Sequence, residues 1–441
     1  MEQTIYETKS VHSLILYFSI PAVFSLIVEI MASAVDTVFA GHLGEISVDA
    51  LTTMGLLSPV LSIYTALQAL FAVSTSIMIA KYLKVPKVRD QYYTIGLCMT
   101  FVASVGVSIA SYMMIPRLLS FLGATGQIAI LAEKYLKIQL FSNVFSALGY
   151  TQTSCIRAFG YPRTEMILTG LAVLVNVVFN TIFVFVFDMG FTGLAYGTLV
   201  SELFCFIMSV LWLCKQKLFR FKCHMSKGEL KKYSFELLKL GIAQTIIQSL
   251  AGYTAFFVNQ SLILHTTLEH IAVWNVAQKI YTLFLMPIVG ITQGVQTIIA
   301  YFDGHEEKNK KKKTLFITMC YTVIYGLVGV VVIFFFGKNI LALFTDSSDI
   351  HELGNRILCI VFSTFPLMGI FYTIMTLYEV TRHEVKAVFL ILTRQVFLMI
   401  PLAYLLPEIF PGFSFAVFCA VPISDLIALF IAVLSGKMFT V

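Results

Sequence analysis

Two acids stand in the first long apolar run of this 441-residue chain, Glu29 and Asp36 within FSIPAVFSLIVEIMASAVDTVFAGHLG. Seven residues apart, they share one face of a helix, about 10 Å apart along its axis. A carboxylate taken out of water without a counter-cation favours capture of a proton or a sodium ion, so either acid could couple solute movement to an ion. Farther on, LVNVVFNTIF sets Asn176 and Asn180 one turn apart on a common face. Two carboxamides can donate to a carboxylate or offer carbonyl oxygens to a hard cation. They can equally bond neighbouring helices. Thr198, Ser201 and Glu202 follow in the next apolar run. The second half carries Gln244, Gln248 and Asn259, then Asn275, Gln278, Lys279, Gln293 and Gln296, then Arg394 and Gln395, and finally Asp425. Lys279 could pair with a carboxylate across a bundle or snorkel to an interface. No HExxH, GxSxG or DxxxD constellation occurs, and the eight cysteines are scattered singly. Catalytic residues, a cofactor and a metal cluster are therefore not expected.

The elements that would hold these groups follow from composition. The chain is 58% hydrophobic and 12% charged, with mean hydropathy +0.87; a soluble domain is roughly 25% charged. Apolar stretches of about 20 residues recur throughout, each long enough to cross a ~30 Å hydrocarbon layer. They lack the alternation of barrel strands, so they are helices. Twelve spans are expected, at 13–36, 48–78, 92–115, 132–156, 164–187, 191–214, 236–264, 271–300, 314–336, 354–378, 385–406 and 412–435. Pro21, Pro59, Pro287, Pro366 and Pro422 lie in them and can kink a helix. The polar stretch from Met1 to His12 precedes an apolar run without a small-residue cleavage site, which reads as a retained helix rather than a signal peptide.

Twelve helices leave both termini on one side. Basic residues crowd the loops of that side, from Lys81, Lys84, Lys87 and Arg89 to the Lys-rich stretches at 215–239 and 308–313. The opposite loops hold only Arg117, Lys134, Lys137, Lys338 and Arg356. The positive-inside rule puts both termini in the cytoplasm of a multi-pass protein of the cell (inner or plasma) membrane. The net charge of +6 needs no nucleic acid to explain it; the lysine run at 310–313 meets water and anionic headgroups.

KQKLFRFKCHMSKGELKKYSF, from residue 215, is the longest polar stretch. It divides the chain into a lobe at 1–214, a cytoplasmic linker at 215–235 and a lobe at 236–441. The halves look related at an offset near 222: LLSFLGATG (118–126) resembles LALFTDSS (341–348), and FDMGFTGLAYGTLVSEL (187–203) resembles IFPGFSFAVFCAVPISDL (409–426). Six helices per half make this a parallel repeat about an axis along the membrane normal. Such pairs usually enclose a central cavity. The 39 Phe and 20 Tyr could line it for flat organic cations.

Several stretches carry a family resemblance. The first apolar run quoted above, AFGYPRTEMILTGLAVLVNVVFNTIFVF (158–185), GFTGLAYGTLVSE (190–202), GITQGVQTIIAYFDG (290–304), TRQVFLMIPLAYLLP (393–407) and AVPISDL (420–426) together resemble the multidrug and toxic compound extrusion (MATE) transporters over nearly the whole chain. The resemblance implies an all-helical membrane protein of two six-helix lobes around a V-shaped cavity, exporting organic cations or other amphiphiles in exchange for H⁺ or Na⁺. It implies a cation site in which Asp36 matches the first-helix aspartate, Asn176 the fifth-helix asparagine and Thr198 the sixth-helix threonine. The second-lobe acids of another branch are not matched: the seventh span has Gln248 and Ala251 there, and the tenth has Glu379 at its cytoplasmic end. The chain is thus nearer the DinF-like branch.

One departure bears on coupling. The family's fifth-helix motif reads Asn-x-x-x-Asp, and here its second residue is Asn180. A sodium site at Asp36, Asn176, Asn180 and Thr198 would lack one negative charge, which favours proton over sodium coupling; Glu29 and Glu202 are candidates to replace that charge. The expected activity is secondary antiport by alternating access, in a monomer whose partners are a small organic substrate and membrane lipid. The rival readings are a lipid-linked oligosaccharide flippase, which would line its cavity with arginines, and a membrane-embedded enzyme.

Overall fold

The computed structural model describes residues 5–41, 43, 46–219, 225–342, 348–381 and 383–435. Residues 343–347 of the 341–348 repeat motif, Arg220, Lys222, Cys223, Arg382 and Lys437 lie outside them, as do the side chains of Gln248 and Asn275. Among the described residues every regular element is helical. After a single turn, α1 (Ile5–Thr8), come α2 (Val11–Gly41), α3 (Ser47–Lys81), α4 (Pro86–Phe121), α5 (Gly126–Ala158), α6 (Pro162–Thr181) and α7 (Gly190–Gln216). The second half holds α8 (Lys227–His265), α9 (Leu268–Gly304), α10 (Lys308–Ala342), α11 (Ser348–Phe362), α12 (Phe365–Val380), α13 (Glu384–Leu392), α14 (Ile400–Ile409) and α15 (Ala416–Ser435). A π-helical turn at Ile182–Val186 extends α6, and another at Thr393–Met399 joins α13 to α14. Such turns insert a residue into the helical ladder and often mark functional positions.

Joining α11 to α12 and α13 to α14 gives twelve long helical segments among the described residues, the number expected from hydropathy. Among the described residues nine helices are both long and apolar enough to cross a membrane, ten if α11 with α12, bent by 41°, is one span. The two that fall short are α5 and α8, and α5 shows why. It packs against α3, α4, α6 and α7 and buries Thr151, Gln152, Thr153, Ser154 and Arg157. A helix surrounded by protein can afford polar side chains that lipid would not tolerate.

Pro366 lies inside the expected span, at the bend between α11 and α12. It occupies the first turn of α12, just after the break at Ser363–Thr364, where its missing N–H deprives the helix of nothing. Pro21, Pro59, Pro287 and Pro422 do lie within helices.

Two compact units emerge, one comprising Met1–Thr8 and Phe24–Thr245, the other Lys9–Val23 and Ile246–Val441. In the first, the core gathers Leu57, Tyr64, Tyr135, Leu136, Val184 and Phe191. In the second, it runs through Trp274, Ile288, Phe362, Phe365, Phe371 and Phe418. There α10 and α12 meet closely, because Gly326 lies against the Pro366 backbone and Gly369 against Thr322. Small residues at such crossings let helices approach in the absence of a hydrophobic drive between them.

The α8 start is a reciprocal cap. The Ser226 backbone N–H and Oγ donate to Glu229 Oε2 at 3.0 and 3.2 Å, and the Glu229 N–H donates to Ser226 Oγ at 3.1 Å. These bonds hold the exposed Glu229 carboxyl below its usual range, the backbone bond foremost. The group is depressed on folding, so its contribution is present at neutral pH and lost as pH falls through that lowered range. Hydrogen exchange of the 229–232 amides, corrected for intrinsic rate, should rise over that acid interval in the native protein and be insensitive to it in Glu229→Gln.

Candidate functional site

In the first unit, α2, α6 and α7 bring four oxygen-bearing side chains together. Asn180 Nδ2 donates to Asp36 Oδ1 at 2.6 Å and to Asn176 Oδ1 at 3.1 Å. Asn176 Nδ2 in turn reaches Thr198 Oγ1 at 3.4 Å, and the Thr198 hydroxyl donates to the Leu194 carbonyl at 3.0 Å. Asn180 is wholly buried, Asn176 nearly so, and Asp36 half-buried. The spacing that placed both asparagines on one face is what lets Asn180 bridge its neighbour one turn back and the acid on α2.

The Asn180 carboxamide fits because residue 197 is glycine. A β-carbon there would lie 1.9 Å from Asn180 Oδ1 and 3.0 Å from the Asn180 backbone nitrogen. Asn180 Oδ1 has no hydrogen-bond partner among the described residues. Tyr135 on α5 lies within electrostatic reach of Asp36 and stacks on Phe191, ring centroids 4.9 Å apart. No pattern in the sequence singled out Tyr135; it stands among the charges of a helix that fails the hydropathy test. Gly197→Ala should displace the Asn180 side chain and break its bond to Asp36. Expected is a loss of gradient-driven efflux beyond any loss of melting temperature, checked by transport assay and thermal melt on one preparation.

Glu29 is not part of this group. It is exposed, and its electrostatic neighbours are Arg157, Glu165 and Glu202 rather than Asp36. Sharing a helix face with Asp36 did not bring the two acids to one site, because neighbouring helices capture each separately. By sequence Arg157 falls one residue past the expected span 132–156, among the loop cations. The structure buries it at the end of α5, where Nη1 donates to Glu165 Oε1 at 2.6 Å. Glu165, four residues into α6, passed unnoticed in the sequence.

The second unit brings together Arg394 and Asp425. Arg394 Nε donates to Asp425 Oδ1 at 2.7 Å, and Thr364 Oγ1 donates to Asp425 Oδ2 at 3.0 Å. The guanidinium lies over the Phe371 ring, 5.7 Å from its centroid, within electrostatic reach of Tyr281 and Tyr372. Arg394 sits in the π-helical turn, and both members of the pair are buried. The remaining second-half candidates are dispersed. Lys279 is exposed, Gln278 and Gln293 are half-buried, and half-buried Asn259 has an Oδ1 without a partner among the described residues. Gln296 Nε2 donates to Glu379 Oε2 at 2.9 Å.

The MatE family model matches residues 21–182 and again 244–405. The chain thus carries the same unit twice, and the second match begins 223 residues after the first, at residue 244 against residue 21. It is 24% identical over 446 residues to the multidrug export protein MepA of Staphylococcus aureus strain MSSA476, covering 100% of this chain and 98% of that protein. It is 22% identical to MepA of Staphylococcus saprophyticus, over 99% and 96% of the two chains. A multidrug resistance MATE family transporter of the MOP superfamily, solved in an outward-facing conformation, superposes with a TM-score of 0.90 at 21% identity, over 99% of this chain and 98% of that one. A variant of the Vibrio cholerae MATE transporter VcmN does so with a TM-score of 0.90 at 17% identity, over 97% and 98%. With two family matches that together take in most of its length, and a helical fold shared with solved MATE transporters, the chain belongs to the MatE family of multidrug efflux transporters.

Proposed function

We propose that this chain exports organic cations or amphipathic drugs in exchange for protons, by alternating access, from a cell membrane with both termini in the cytoplasm. The observation that carries the proton reading is the direct bond from Asn180 Nδ2 to Asp36 Oδ1. An aspartate at residue 180 would add a second negative charge and, when ionised, could not donate. Asn180 instead occupies one Asp36 oxygen with an N–H, leaving Asp36 as the one formal charge among the four side chains. A hard cation such as Na⁺ wants several anionic or carbonyl oxygens turned towards it. A proton needs a single carboxylate that gains and loses it as the surroundings change.

For protonation to drive export, the proton must bind the two conformations unequally. Asp36 and Asn180 stand on different helices, so any movement of α2 against α6 changes the bond between them and with it the carboxylate's hold on a proton. Dye efflux from proteoliposomes under an imposed pH gradient alone, then under a Na⁺ gradient alone, tests this reading. Transport in the first and none in the second is expected; the reverse sinks proton coupling. The flippase alternative loses its main requirement, since the buried arginines Arg157 and Arg394 are each committed to a carboxylate, at 2.6 and 2.7 Å.

A further inference from the structure

The internal repeat permits a comparison within one chain. Carried past the end of the matched segments, its 223-residue offset takes Glu202 to Asp425, within the tripeptides Ser-Glu-Leu (201–203) and Ser-Asp-Leu (424–426). Both acids lie on the last long helix of their unit, α7 and α15. In the second unit the acid has a resident cation: Arg394 donates to Asp425 at 2.7 Å, and Thr364 takes the other oxygen. In the first unit the same offset places Leu171 where Arg394 stands, so that cation has no counterpart. It also places Glu29 where the second unit has Gly252. One half of the repeat therefore holds an acid bonded to a cation, and the other holds Glu202 and Glu29 with no basic residue at the corresponding position.

The surroundings of Glu202 bear this out. Glu202 lies within electrostatic reach of Ser146 on α5 and of Glu29 on α2. Glu165 on α6 faces Glu29 as well, and Cys205, one turn along α7, faces all three acids. The cation within reach is Arg157, already bonded to Glu165. Glu29 and Glu165 thus share the one guanidinium that Glu165 already holds. Even that pair is incomplete: Glu165, only 4% exposed, has an Oε2 with no hydrogen-bond partner among the described residues, and Arg157, 2% exposed, has an Nε in the same condition. Ser146 bonds Gln68 Oε1 at 3.4 Å, and Gln68 and Asn143 line a cavity of about 40 Å³, more than a water molecule needs.

We propose that Glu202 and Glu29 form a site for one exchangeable positive charge, separate from Asp36 and equivalent in the repeat to the position that Arg394 fills permanently at Asp425. The charge is a proton or the cationic head of an organic substrate. Like charges held close in a poorly solvated place cannot all ionise without a partner. The proposal rests on the export reading above, and adds a second acid that exchanges a cation on each cycle.

The test is calorimetric titration of ethidium into the purified full-length protein in detergent, in two buffers of different ionisation enthalpy, which reads both affinity and protons released. If the substrate's charge sits at Glu202, Glu202→Gln and Glu29→Gln should weaken ethidium binding at least tenfold. If the proton alone sits there, affinity is kept and proton release on binding falls in both variants. Unchanged affinity with unchanged proton release overturns the site, even where the melting temperature drops, since a structural role would show only in the melt. Ser146→Ala, which removes the hydroxyl within electrostatic reach of Glu202, should shift the same readouts in the same direction to a smaller extent. Asp36→Asn separates the two readings: it should lose gradient-driven efflux while keeping its Glu202-dependent ethidium response.

Discussion

Asp36→Asn should bring dye efflux under an imposed pH gradient down to the rate of protein-free liposomes, with the melting temperature and yield of the purified protein unchanged. The substitution keeps size and shape and removes the group that would carry the proton. Its carboxamide can still accept from Asn180 Nδ2 through Oδ1, so the 2.6 Å contact and the chain of bonds through Asn176 to Thr198 can persist. That separates loss of coupling from loss of structure. A variant that still empties dye-loaded liposomes at the native rate would remove Asp36 from the coupling step. Asn180→Asp is the informative companion. It would restore a second acid and remove the donor, and should shift the driving ion towards Na⁺, read as efflux under a Na⁺ gradient that the native protein does not show.

Asp425→Asn should be the most destabilising single change, costing about 3–5 kcal/mol because it leaves Arg394 as a buried charge without its partner. The side chains of the pair are 7% and 0% exposed, so water cannot replace the lost carboxylate. Replacing both members with apolar residues, Arg394→Met with Asp425→Leu, should recover most of that loss, since a buried ion pair is often no more stable than well-packed hydrophobes of similar volume. Thermal melts of the single and double variants in detergent check this. A single variant that melts like the native protein would mean that Arg394 finds another partner. If the double variant melts normally but fails to transport, the pair serves the conformational cycle rather than the fold.

Much of the helical architecture was legible in the residues, because a membrane leaves few choices. Apolar runs of about 20 residues with no water to satisfy their backbone must be helices. The halves could be related through matching stretches such as 187–203 and 409–426, because a repeat preserves register. Asn176, Asn180, Asp36 and Thr198 could also be named, since polar groups in apolar helices stand out against their background. Hydropathy was a weaker guide for α5 and α8: it measures exposure to lipid, and α5 lies among other helices.

The sequence by itself determined that the chain is a bundle of about twelve helices built from a repeated unit, and which polar groups it carries into the membrane. Composition and periodicity decide those matters, because each residue meets its solvent and its own helix before it meets any other. What only the tertiary structure decided was which of those groups became neighbours. Glu29 and Asp36 share one helix face yet serve different clusters, since α6 brings Glu165 to one and Asn180 to the other. Asp425 became half of an ion pair while its repeat equivalent Glu202 did not, because the guanidinium that neutralises an acid comes from another helix. A charge can be read from one residue, but its partner is chosen by the packing of the rest.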